Sequence, residues 1–234
     1  ARSVGVPALL ALDFQARAAR LKKLAAYLVE RKEELYALSA HTGATRADSW
    51  VDIEGGIGTF YVYASKGRRE LPNETFYVDG GAEAISKGGT FVGRHICVPL
   101  EGAAVHINAF NFPVWGMMEK LAPSLLAGVP CIVKPATLTS YLTEAAFRMI
   151  VESKILPEGA IQLICGSAGD LLDHLECQDA VAFTGSASTG RMLKESKRVV
   201  HNAVRFNMEA DSLNCSILGP DAGPGTDEFY LFVK

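Results

Sequence analysis

The stretch INAFNFPVWG, residues 107–116, ends an apolar run in two amides, Asn108 and Asn111, and follows them with Phe112 and Pro113. A side-chain amide is a neutral hydrogen-bonding group with both donors and acceptor. Set at the end of a buried strand, with a proline ready to open the next helix, it lies where α/β proteins hold ligands. Three later stretches place comparable groups at strand ends: KPAT (134–137), CGSAG (165–169) and FTGSAS (183–188). Together they predict one edge carrying a cation (Lys134), small backbone positions (Ala136, Gly166, Gly169, Gly185) and hydroxyls (Thr137, Thr184, Ser186). That combination suits a nucleotide or dinucleotide, with a lysine near ribose or phosphate and a helix N-terminus near pyrophosphate.

Each piece alone has a plainer reading. A Gly-Ser pair before a helix is a turn and an N-cap, and Lys134 can reach into water from a strand end. GxGxxG is absent, so the ordinary dinucleotide fingerprint is not available. Glu209, in VRFNMEADSLN, is flanked by Met208 and Ala210. An apolar setting raises a carboxylate's pKa and suits it to general-base work, although local sequence slightly favours a partly exposed loop glutamate. Cys165 has no histidine near it in the chain and reads as a buried structural thiol.

The totals narrow the class. Hydrophobic residues make up 49% and charged residues 21% of 234, with a net charge of −3, as in an ordinary globular protein without the charge of a nucleic-acid or anionic-membrane binder. No apolar stretch is long enough to span a bilayer. The five cysteines are scattered, none in CxxC spacing, and the five histidines form no HExxH, which argues against a disulfide framework and against a metal site. The start shows neither initiator Met nor signal sequence, so we expect a cytoplasmic protein, or a fragment whose beginning is missing.

The elements that must position these groups follow from periodicity. Asp13 caps a helix running to about Ser39, and Thr45 with Asp48 opens a second, in which Gly55, Gly56 and Gly58 imply close helix–helix packing. Residues 76–100 are Gly-rich with short β-like pieces, as in an extended ribbon. From Gly102 onward strands alternate with helices: AAVHI, then a helix from Pro113; VPCIVK, then a helix from about Ser140; AIQLIC, then a short helix over 168–175; DAVAFTG, then a helix near Ser188; and finally LNCSIL. The expected fold is α/β, a doubly wound parallel sheet with N-terminal helices and a β-ribbon arm. Its parts are a helical segment (1–75), the ribbon (76–100) and a Rossmann-like dinucleotide-binding core (101–234).

NAFNFP, VKPA, FTGS followed by TGR, and an apolar-flanked Glu, in this order, resemble the aldehyde dehydrogenase superfamily over nearly the whole chain. YALSAHTGATRADSWVDIEGGIGT and MEADSLNCSILG resemble more closely the aldehyde dehydrogenase half of the bifunctional ring-opening proteins of phenylacetate degradation. The resemblance implies that Asn111 donates to the oxyanion of a tetrahedral intermediate and that Glu209 activates the deacylating water. It further implies cofactor contacts from Ile107, Asn108, Phe110, Lys134, Ala136, Thr137, Gly166, Gly169, Phe183, Thr184, Gly185, Ser186, Glu209 and Ala210. Asn108 is read as local support for the amide beside it.

Where that family usually reads Glu-Leu-Gly-Gly-Lys this chain reads Glu-Ala-Asp-Ser-Leu, a departure shared with the ring-opening subfamily. The family's nucleophilic cysteine lies downstream of the glutamate in a motif not reached by Lys234, and Cys215 sits too close to Glu209 to replace it. The chain therefore reads as a fragment without the catalytic domain, inactive by itself. Its parent would oxidise an aldehyde, a CoA-linked semialdehyde of aromatic degradation, to the acid. Thr137, where NAD-preferring relatives carry a glutamate, points to NADP with NAD possible. The ribbon implies a homodimer or higher oligomer. Two rival readings are a CoA-acylating aldehyde dehydrogenase and an inactive nucleotide-binding or scaffold protein.

Overall fold

The computed structural model describes residues 1–212 and 215–233. In its N-terminal third, apolar residues recur at helical spacing. A short helix α1 (Gly5–Leu10) precedes α2 (Phe14–Val29), which Asp13 caps by accepting from Ala16 N at 2.6 Å. The single helix expected to Ser39 is divided: α2 stops and α3 (Lys32–Ser39) restarts. At the break the Arg31 guanidinium folds back over the Tyr27 ring, 3.6 Å from its centre, and donates to the Tyr27 carbonyl, satisfying an orphan acceptor of the last turn. Next, α4 (Arg46–Glu70) opens on the expected reciprocal cap of Thr45 and Asp48.

Strands β1 (Tyr77–Ala84) and β2 (Val92–Cys97) pair antiparallel as a two-stranded ribbon. The alternating core follows in order: β3 (Ala104–Ile107), α5 (Trp115–Leu126), β4 (Cys131–Lys134), α6 (Ser140–Glu152), β5 (Ile161–Leu163), β6 (Ala180–Gly185), α7 (Ala187–Lys194), α8 (Lys197–His201), β7 (Arg205–Ala210) and α9 (Asp227–Val233). Its sheet is parallel throughout, in the order β5-β4-β3-β6-β7.

Two apolar layers cover this sheet, because successive strand residues face opposite ways. Ala104, Cys131 and Val133 join the residues buried from α2, α4, α5 and α6 on one side, while Val105, Ile107, Val181 and Phe183 join Leu172, Leu175, Val199 and Val204 on the other. Helix α5 buries Met117, Met118, Leu121, Ala122, Leu125 and Leu126, where each large side chain contributes roughly 1.5–3 kcal/mol. Strand order reverses between β3 and β6, so a crevice forms beyond their carboxyl ends.

Three sequence expectations are corrected. The helix over 168–175 is a 3₁₀ turn at Leu171–His174. The last strand is Arg205–Ala210 rather than LNCSIL; Phe206 and Met208 alternate with polar neighbours, the pattern of a half-buried edge strand, and pair in register with β6. Leu213 and Asn214 lie outside the described residues, and Cys215–Leu218 carry no regular structure. Gly55 and Gly56 do abut α5, since a Cβ at Gly55 would sit 2.3 Å from the Trp115 ring and one at Gly56 would sit 2.9 Å from Trp115 Cα. Gly58 faces open space, so close packing does not explain it.

Candidate active site beyond β3 and β6

The amide-bearing turn after β3 is held from several sides. Asn108 is buried, its backbone N–H donates to Lys134 O at 3.0 Å, and its side chain lies against Gly116 without a hydrogen-bond partner. Phe110 and Phe112 are exposed, and the Phe110 carbonyl accepts from Thr139 Oγ1 at 3.0 Å. The Pro113 carbonyl accepts from Thr143 Oγ1 at 2.9 Å. Asn111 itself is exposed and lines a cavity of about 390 Å³ together with Ala109, Phe112, Trp115, Gly116, Glu119, Val51, Thr184 and Glu209.

Glu209 reaches the same cavity from β7, where it pairs in register with Thr184 of β6 and accepts from Thr184 Oγ1 at 3.1 Å. It is exposed on a strand, neither in a loop nor in the apolar enclosure considered from sequence, because β7 is the outer strand of the sheet. Two candidate residues more than ninety positions apart thus meet in one concavity: an amide that can donate and a carboxylate that can accept a proton. Trp115 forms part of the wall. Its ring rests on Gly55, meets Phe112 edge-on with centroids 6.2 Å apart, and donates Nε1–H to Glu119 at 3.1 Å. Glu119 also pairs with Lys120 Nζ at 2.8 Å.

The other predicted residues lie along the same sheet edge but outside this cavity. Ile107, Lys134 and Phe183 share one register level at the ends of β3, β4 and β6. Lys134 Nζ donates to Pro135 O at 2.7 Å, and desolvation holds its pKa below the usual lysine value. Ala136 precedes the 3₁₀ turn Thr137–Thr139, with Thr137 exposed. Gly166 and Gly169 take φ of +98° and +51° beyond β5, and a Cβ on either would meet nothing within 4 Å. Gly185 ends β6, and Ser186 caps α7 by accepting from Thr189 N at 3.3 Å. Ala210 pairs with Gly185 at the end of β7. Cys165 is exposed, contrary to the buried thiol expected, because β5 stops at Leu163.

Sequence reasoning missed three features. Trp115, Gly116 and Glu119 line the cavity at spacings of three, four and seven from Phe112, a helical face that the proline start could have revealed. Asp211, with φ of +55°, accepts from Ala187 N at 3.1 Å and so occupies the α7 N-terminus. Asp52 on α4 is buried, and its carboxylate accepts from Val114 N and Trp115 N at 3.1 and 2.8 Å. Burial raises its pKa to about 6, against the lowering effect of those two amides.

The model of the aldehyde dehydrogenase family matches residues 2–224. The chain belongs to the aldehyde dehydrogenase family. Over its whole length it is 48% identical to the 3,4-dehydroadipyl-CoA semialdehyde dehydrogenase of Aromatoleum evansii, covering 45% of that relative. It is 31% identical to the N-succinylglutamate 5-semialdehyde dehydrogenase of Escherichia coli K12, across 78% of this chain and 35% of the relative. Among solved structures, PnpE in complex with nicotinamide adenine dinucleotide superposes with a TM-score of 0.74 at 26% identity, over 88% of this chain and 40% of that one. An E. coli NADP dependent enzyme superposes at 0.73 and 24% identity, over 89% of this chain and 41% of its own length, a likeness of fold alone. The chain therefore spans less than half the length of these relatives. Among the described residues, no helix is long and apolar enough to cross a membrane, and no three His, Cys, Asp or Glu side chains gather as a metal site.

Proposed function

We propose that this chain is the cofactor-binding part of a longer cytoplasmic enzyme that oxidises an aldehyde to the acid. In this reading the aldehyde is a CoA-linked semialdehyde of aromatic degradation, the acceptor is NADP+ in preference to NAD+, and the nucleophilic cysteine lies in the remainder of the enzyme. The observation that carries the reading is the meeting of Asn111 and Glu209 on one cavity at the strand ends of an aldehyde dehydrogenase family member. The substrate class is supported by the name of the relative at 48% identity.

The strand-end residues fit a dinucleotide chemically. Lys134 offers a partly buried cation, Thr137 an exposed hydroxyl, and the backbone at Gly166 and Gly169 is open to close approach. Lys134, Thr137 and the Thr184–Ser186 turn would hold ribose and phosphate groups, with Asp211 having to share or leave the α7 N-terminus. When bound, the nicotinamide supplies the hydride acceptor.

Asn111 donates its amide N–H to the carbonyl oxygen as negative charge develops there during thiol addition. A neutral donor serves this step because the charge is transient. Glu209 accepts a proton from the water that attacks the thioester, releasing the carboxylic acid and restoring the thiol. The Thr184 hydroxyl, 3.1 Å from Glu209 Oε2, orients the carboxylate. A CoA-acylating relative would need no such base, so Glu209 favours hydrolysis.

The test is Glu209→Gln in the full-length enzyme. A burst of reduced cofactor should survive, because hydride transfer precedes the water step, while steady turnover collapses. Rapid-mixing kinetics showing no burst but a normal steady rate would remove Glu209 from the role.

A further inference from the structure

The segment carrying Asn111 is fixed almost entirely by side chains from other elements. Its carbonyls at Phe110 and Pro113 accept from Thr139 and Thr143, both buried and both at or beside the start of α6. Pro113 has no N–H, and α5 brings no side-chain cap of its own, since Val114 stands at the cap position. The amides of Val114 and Trp115 are instead taken up by Asp52, which sits on α4 with 4% exposure, 62 residues upstream of Val114. Its carboxylate also complements the positive end of the α5 dipole. Among the described residues, by contrast, the Asn111 side chain makes no hydrogen bond. The turn is clamped on both flanks, and the amide between them is left free for a ligand.

We propose that Asp52 is a positioning residue for Asn111, holding the first turn of α5 so that the amide donates from one fixed place. This rests on the reading of Asn111 as the oxyanion donor. Asp52 acts through the backbone of residues 111–115 and touches no reacting atom. Oδ1 accepts from both amides, at 3.1 and 2.8 Å, and Oδ2 accepts also from Val114 N at 3.3 Å, so one carboxylate gathers the first two N–H groups of the helix. Positioning of this kind matters because a shift of about 1 Å at a reacting group can cost on the order of 10²-fold in rate.

The experiment is a double-mutant cycle in the full-length enzyme, using Asp52→Asn, Asn111→Ala and the pair, with melting temperatures measured alongside. Asp52→Asn keeps the size and one acceptor oxygen. Asp52→Glu, which keeps the charge but moves it, serves if the amide variant fails to fold. We expect Asn111→Ala to lower kcat by about 10²–10³. Asp52→Asn should lower kcat about tenfold with the cofactor KM unchanged, and should cost less than about twofold once Asn111 is already alanine. Its effect on melting temperature should be equal in both backgrounds. A kcat loss from the Asp52 variant that is the same with and without Asn111 overturns the positioning role, and so does an unchanged kcat. If Asn111→Ala itself leaves kcat unchanged, the functional reading of Asn111 fails first and takes this proposal with it.

Discussion

At Thr137 a single exposed hydroxyl stands three residues after Lys134, where the turn following β4 begins. A carboxylate at such a position would hydrogen-bond a ribose hydroxyl and repel a 2′-phosphate; threonine is neutral and offers a hydroxyl donor without that repulsion, and the nearby lysine attracts. We therefore expect kcat/KM in the full-length enzyme to favour NADP+ over NAD+, and Thr137→Glu to move that ratio towards NAD+ by tenfold or more, about 1.4 kcal/mol. A parent enzyme favouring NAD+, or a variant ratio that stays put, would defeat the idea. His106 shows a different residue-scale constraint. It is a buried residue of β3, hydrogen-bonded to Ser124 of α5 through Nε2, and burial followed by repulsion from Lys120 lowers its pKa to about 3. It is thus held neutral, a structural histidine rather than part of the site.

Among the elements, α5 is the one on which the site depends. Its N-terminus carries the cavity wall and is pressed against α4 at two glycines, Gly55 and Gly56, which meet Trp115. Gly56→Ala would bring a methyl to 2.9 Å from Trp115 Cα, and a backbone atom cannot give way cheaply. The expected loss is about 1–2 kcal/mol of unfolding free energy, after the helix-propensity gain of alanine is subtracted from the overpacking cost. Gly58→Ala, two residues on and facing open space, should have the opposite sign, gaining about 0.5–1 kcal/mol. Urea unfolding of the two variants decides the matter; equal effects would mean that the α4–α5 contact does not constrain the helices as described. The C-terminal end of α5 is held as well, by Arg17, which is buried and donates to Leu126 O at 3.3 Å.

On the scale of the whole molecule, the β1–β2 ribbon meets the first apolar layer at Tyr77 and runs outward from there into exposed positions. Phe91, Val92, Ile96 and Val98 along and beside it are 53–69% exposed. A two-stranded hairpin is marginal in water by itself, and an apolar edge invites pairing. We propose that this ribbon is covered by a second subunit, so the full-length enzyme should be a dimer or larger by multi-angle light scattering. A monomer at micromolar concentration would contradict that.

Much of this was legible in the chain itself. The alternation of short apolar runs with helical stretches announces a parallel, helix-covered sheet, because strands buried on both faces cannot carry polar residues in alternation. The Asp13 and Thr45 caps, the ribbon, and the strand-end placement of Asn111, Lys134 and Ser186 follow from local rules that act over a few residues. What local rules could not supply is decided by contacts between distant segments. Strand order β5-β4-β3-β6-β7 brings Glu209 beside Thr184 and around to the cavity of Asn111, and converts an edge segment read as a loop into the fifth strand. No periodicity marks Asp52, a polar residue on a helix face, as the cap of another helix 62 positions away. Whether a polar side chain faces water or the end of a neighbouring helix depends on how the helices pack, and packing exists only in the folded chain.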